Sequence, residues 1–81
     1  MEDTKIYDSK EFQSEYVSDV VKDVATILED RGYNPVNQIV GYLMSGDPGY
    51  ISSYKEARSK LTSLDRTKIL ETLVEEFLNN K

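Results

Sequence analysis

Every glycine and proline of this chain falls within residues 32–51, GYNPVNQIVGYLMSGDPGYI: Gly32, Gly41, Gly46, Gly49, Pro35 and Pro48. Around that stretch the chain is polar, charged and helical in period, so this is where its sharpest turns are specified. Pro35 can open a helix at its first position with Asn34 as N-cap. Gly46 can close the same helix through a left-handed residue. Between them Val36, Ile39, Val40, Leu43 and Met44 share one face at helical spacing, which predicts a buried central helix. Gly41 stands in its middle at a cost of about 1 kcal/mol relative to alanine. A close approach by another helix would account for it. Asp47-Pro48 then repeats the cap-and-proline start.

To the N-terminal side, residues 1–9 hold little apolar content and are expected to form a flexible arm. Ile6 and Tyr7 could dock on the body, and Asp8 with Glu11 is spaced as a capping box. From about Lys10 to Arg31 the pattern predicts the longest helix. Phe12, Tyr16, Val17, Val20, Val21, Val24, Ile27 and Leu28 form its apolar face, and Gly32 stops it. Asp19 and Asp23 lie opposite, as a solvated stripe.

To the C-terminal side, Ser53-Tyr54-Lys55-Glu56 fits an S-x-x-E capping box opening a third helix to about Leu61, with Tyr54, Ala57 and Leu61 inward. Thr62-Ser63-Leu64-Asp65 is a further capping signal. The last helix then runs to about Leu78 with a continuous seam of Ile69, Leu70, Leu73, Val74, Phe77 and Leu78. No segment alternates like a strand. The expected fold is all-α: a compact four- or five-helix domain over residues 10–81, behind the arm.

Eighty-one residues make one domain with a marginal core, and small folds of this kind usually add disulfides, a metal or oligomerisation. Cysteine and histidine are absent, which removes disulfides and the usual zinc ligands. Oligomerisation remains, and a homodimer is expected, since the helix faces offer more apolar surface than so small a body covers. The same absence removes Ser-His and Cys-His nucleophile systems. The Glu75-Glu76 pair reads as solvated surface, and Gly46-Asp47-Pro48-Gly49 lacks the lysine of a phosphate-binding loop. No enzyme activity, cofactor or metal is expected.

No apolar run reaches the length of a membrane span and no signal peptide is visible, so a soluble, cytoplasmic protein without membrane insertion is expected. The net charge of −5 argues against nonspecific nucleic-acid binding. It is unevenly spread: residues 1–30 carry nine acids and three bases, residues 31–63 two acids and four bases. A helix–turn–helix nucleic-acid binder is the alternative reading, with Lys55, Arg58 and Lys60 on the third helix. Against it stand the acidic total and the few bases. Six tyrosines include a cluster of Tyr33, Tyr42, Tyr50 and Tyr54. With Arg58 beside them they suit a protein-interaction surface, and otherwise serve as half-buried packing residues.

The stretch from Gly32 to Ile51, followed by Tyr54, Ala57-Arg58 and Asp65-Arg66, resembles the IreB/ReoM family of small proteins from Gram-positive bacteria. The likeness extends from about Thr4 to Leu78. It implies a helical, dimer-forming regulator without enzymatic activity, phosphorylated by a membrane Ser/Thr kinase with PASTA domains. It also implies an influence on peptidoglycan synthesis, in part by controlling proteolysis of its first committed enzyme, MurA. The expected partners are therefore a second copy, that kinase, and cell-wall synthesis or proteolysis machinery. Thr4 lies near the family's phosphorylated threonine, whereas Thr26 sits inside a helix. Arg58 and Arg66 stand at arginine positions of the family. Ser52-Ser53 and Thr62-Ser63 stand where the family tends to carry further arginines.

Overall fold

A computed structural model describes residues 10–79, with side chains from Gln13 onward. The expected arm, the Asp8 cap and Thr4 lie outside the described residues, as does the side chain of Phe12. Within them the chain is all-helical: α1 (Lys10–Asp30), α2 (Pro35–Ser45), α3 (Ala57–Thr62) and α4 (Arg66–Asn79). Two short 3-10 turns, Pro48–Tyr50 and Tyr54–Glu56, lie between α2 and α3.

The hub is α1, against which α2, α3, α4 and the second 3-10 turn all pack. Val17, Val24 and Leu28 are buried along it, with Val20, Val21, Ala25 and Ile27 partly covered. Tyr16 departs from the expected stripe: it is 56% exposed because it stands at the edge of the α1–α4 contact. The helix ends as the sequence predicts. Gly32 adopts φ +87, and the amides of Gly32 and Tyr33 bond back to Glu29 O at 2.9 Å and Leu28 O at 3.0 Å. This is a Schellman ending, which a residue with a Cβ adopts only under strain.

The caps of α2 also fall where expected. Asn34 Oδ1 accepts from the Asn37 amide at 3.1 Å, Pro35 is the first helical residue, and Gly46 takes φ +77 while its amide donates to Tyr42 O. Its burial differs from the expectation. Ile39 and Tyr42 face inward, whereas Val36, Val40 and Met44 are 67%, 49% and 82% exposed. The helix is not a buried centre: α1 can cover only one edge of so wide a stripe, and the Val36–Val40–Met44 ridge is left outside. Gly41 is likewise explained by a side chain and not by a helix. The Tyr50 ring lies where a Cβ on Gly41 would stand.

Asp47 caps the first 3-10 turn by accepting from the Gly49 amide at 2.9 Å, and Ile51 beyond it is fully sealed. The capping box expected at Ser53 does not form. Ser53 makes no side-chain cap, and Lys55 and Glu56 take φ 47 and φ 65 before α3 begins at Ala57. The loop is held from elsewhere, by Gln38 and Arg58, and not by its own cap. Ala57 and Leu61 are inward and sealed, as expected. Asp65 caps α4, its Oδ1 accepting from the Thr67 amide at 2.9 Å.

On α4 the expected apolar seam faces the wrong way for a core. Only Ile69 is sealed; Leu70, Leu73, Val74, Phe77 and Leu78 are exposed. The line turned towards α1 is Ile69, Thr72 and Glu75. Thr72 is buried, and half-buried Glu75 accepts from Ser14 Oγ at 3.1 Å. Glu75 is thus not a solvated surface acid. In the N-terminal half of α1 Ser14 bonds Glu75 and Ser18 is buried, so α4 turns Thr72 and Glu75 inward with Ile69 and leaves most of its apolar seam outside.

Candidate protein-binding surface

The loop from Asp47 to Glu56 crosses from α2 to the C-terminal end of α1, and two long-range bonds shape it. Gln38 Oε1 accepts from the Ser52 amide at 2.9 Å. Arg58 Nε donates to Ile51 O at 2.8 Å, which leaves the terminal guanidinium nitrogens of this exposed residue at the outer edge. Between these anchors the loop presents Tyr50 on the α2 side and Tyr54 on the α1 side. Tyr50 is 51% exposed even with one ring face against Gly41.

Tyr54 is contacted from several sides. The Arg31 guanidinium carbon lies 5.0 Å from its ring centroid and Lys55 Nζ lies 5.5 Å away. Both are within the range where a cation is drawn to a ring face. Its hydroxyl donates to Asp30 Oδ2 at 3.4 Å, and its amide donates to Ser52 Oγ at 3.1 Å. Two successive left-handed non-glycine residues, Lys55 and Glu56, turn the chain beside it. Such residues cost about 1–3 kcal/mol each and gather at functional sites. The result is an aromatic edge carrying Arg31, Lys55 and Arg58 on an otherwise acidic protein.

The expected site residues therefore divide. Tyr50 and Tyr54 lie on this loop, Arg58 bonds to it from α3, and Tyr33, partly exposed, follows the Schellman turn of α1. Arg66 is elsewhere. Its Nη1 donates to Leu43 O at 3.0 Å and its guanidinium lies against Gly46, so it closes the C-terminal end of α2. Lys60, the second base of α3, pairs with Asp23 at 2.9 Å between two exposed side chains. That hydrogen bond, and then the Asp23 charge, raise the Lys60 pKa above its ordinary 10.5. Arg31 and Asp30 escaped sequence reading because nothing local announces their meeting with Tyr54.

A family model described as IreB regulatory phosphoprotein matches residues 2–79. The chain belongs to the IreB family. The resemblance seen around Gly32–Ile51 thus extends over nearly the whole length, and the role it assigns is that of a regulatory phosphoprotein. Arg58 and Arg66 of this IreB protein are both exposed, and each bonds one backbone carbonyl, that of Ile51 and of Leu43. Among the described residues no group of three or more acidic, histidine or cysteine side chains is placed to hold a metal. No described helix is long and apolar enough to cross a membrane.

Proposed function

We propose that this IreB-family chain is a non-catalytic, phosphorylation-controlled adaptor acting in peptidoglycan synthesis, in part through proteolysis of MurA. The observation that carries the reading is the family match over residues 2–79, which spans both Thr4 and the tyrosine–arginine loop. Thr4 is the proposed acceptor, modified by a membrane Ser/Thr kinase with PASTA domains. The phosphate adds about −1.5 to −2 charge and three strong acceptors. The proposed contact for partners is the edge formed by Tyr33, Tyr50, Tyr54 and Arg58, with tyrosine and arginine being the residues favoured at interface hot spots.

The working unit in this reading is a homodimer. Val36, Val40 and Met44 on α2 and Leu70, Val74 and Phe77 on α4 are exposed, and Arg66 ties the ends of these two helices together. An outward apolar seam beside an inward polar line suits a chain whose missing cover is a second copy. Light scattering at tens of micromolar is expected to give twice the chain mass, and a monomer there overturns the dimer. The nucleic-acid alternative is less well supported. Its reading helix would be the short α3, with Lys60 paired to Asp23. Salt-dependent retention on DNA would revive it.

The test of the regulatory reading is affinity for MurA and its protease, measured with unmodified and stoichiometrically Thr4-phosphorylated protein. A changed affinity with an unchanged thermal midpoint is expected, and Arg58→Ala should weaken whichever form binds. Equal affinities would remove the switch, and a phosphate mapped elsewhere would remove Thr4 from it.

A further inference from the structure

A groove of about 300 Å3 lies between the first turns of α1 and the α3–α4 junction. Its apolar wall is Tyr16, Val17 and Leu64, and its rim carries Asp65, Lys68 and Glu71. Tyr16 is the anomaly: an aromatic on the apolar side of α1 that is more than half exposed, flanking an open groove. We propose that residues 1–9 fold back to seat Ile6 and Tyr7 in this groove, and that phosphate on Thr4 releases them.

Three observations select this occupant. The first is position: residues 1–9 enter α1 at Lys10, and among the described residues the α1 wall of the groove runs from Gln13 to Val17. Tyr7 precedes Gln13 by six residues, and an extended chain covers about 3.3–3.6 Å per residue. The second is composition. Ile6 and Tyr7 stand together as one apolar pair in a polar stretch and are followed by Asp8-Ser9, residues that favour a reversal. The third is charge order. Lys5 precedes the pair and Asp8 follows it, matching a rim that offers both Asp65 and Glu71 and the Lys68 ammonium. A tether this short sets an effective concentration of about 1 mM or more, above that of any competing second copy at tens of micromolar. The release step rests on Thr4 being the modified residue; the docking step does not. A phosphate next to Lys5 would neutralise the base that faces Asp65 and Glu71 and place a dianion beside those carboxylates.

The chain has no cysteine, so Asp3→Cys on the full chain gives a single site for a nitroxide label. With the label oxidised, the amides of Tyr16, Leu64, Lys68 and Thr72 are expected to broaden several-fold against the reduced sample. Ile6→Ser/Tyr7→Ser should abolish the effect at an unchanged thermal midpoint. Broadening spread evenly over the surface, or equal in the double variant, overturns the docking. A mixture of labelled unenriched chain and unlabelled enriched chain separates a second copy. Broadening that survives there assigns the groove to a neighbour's arm and also overturns it. Phosphorylating Thr4 on the labelled chain should reduce the broadening several-fold, and unchanged broadening overturns the release. No kinase or partner is present in the docking measurement, so its failure leaves the regulatory reading standing.

Discussion

Leu28 on α1 and Phe77 on α4 both belong to apolar stripes at helical spacing, yet Leu28 is sealed and Phe77 is 79% exposed. The difference lies in the neighbours. Around Leu28 the chain places α2, α3 and the buried Ile51. Towards α4 the first helix offers Ser14 as well as Val17, and α4 meets it with Ile69, Thr72 and Glu75 and carries its leucines away from the body. An apolar stripe therefore states that a helix has a face to cover. It does not state that the cover comes from the same chain.

The most severe test of that contrast is truncation on each side. Leu28→Ala or Leu61→Ala is expected to lose about 2–5 kcal/mol. A domain of this length has about 4–12 kcal/mol in total, so a large fall in urea midpoint should follow. Phe77→Ala should change the unfolding free energy by less than about 0.5 kcal/mol at the lowest workable concentration, and act on association instead. Equal losses at both sites would erase the distinction between the two regions.

Gly41→Ala asks whether the outer side of α2 is as tightly set as the core. Overpacking against the Tyr50 ring should cost about 1–3 kcal/mol, more than the helix-propensity gain of about 1 kcal/mol. In a Tyr50→Ala background the same change should become neutral or stabilising. A stabilising Gly41→Ala in the natural background would mean that the ring moves freely. Smaller still is Lys55→Gly, where relief of a left-handed residue, about 1–2 kcal/mol, exceeds the entropy cost of about 0.5–1 kcal/mol. A slightly higher thermal midpoint is expected, and a lower one would show that the Lys55 side chain matters more than its backbone.

The least effect belongs to the Lys60–Asp23 pair, which links α3 to α1 at the surface. The folded pKa of Lys60 lies above its ordinary 10.5, so the folded chain holds that proton more tightly. Its contribution is complete below pH 10.5 and is lost as the pH rises through the folded value. Lys60→Met should flatten that part of the stability profile, with little change at neutral pH because both groups are exposed. An identical alkaline profile for the variant would remove the pair from the account.

The turns around α2 were legible because their chemistry is local: Asn34 with Pro35, Gly46, and Asp47 with Pro48 each act within a few residues. The start of α3 was not. Ser53 and Glu56 have capping-box spacing, but the Gln38 and Arg58 bonds to the loop span 14 and 7 residues and override it. Left-handed Lys55 and Glu56 carry no sequence signal at all. For the site, clustering of tyrosines with Arg58 could be read from the sequence, whereas the stacking of Arg31 on Tyr54 and the Arg66 bond to Leu43 O could not. Thr4 rests on family resemblance, since it lies outside the described residues.

The bond between Ser14 and Glu75 joins residues 61 apart. At roughly 5–20 residues per second, the first of them waits roughly 3–12 seconds on the ribosome before the second is made. For that interval the N-terminal half of α1 has been synthesised without the helix that covers it. The nine acids and three bases of residues 1–30 then act on the nascent chain, where self-repulsion keeps an uncovered helix from joining its neighbours on a polysome. The strong acidity of the N-terminal third is in this sense a provision for the seconds before folding as much as for the finished protein.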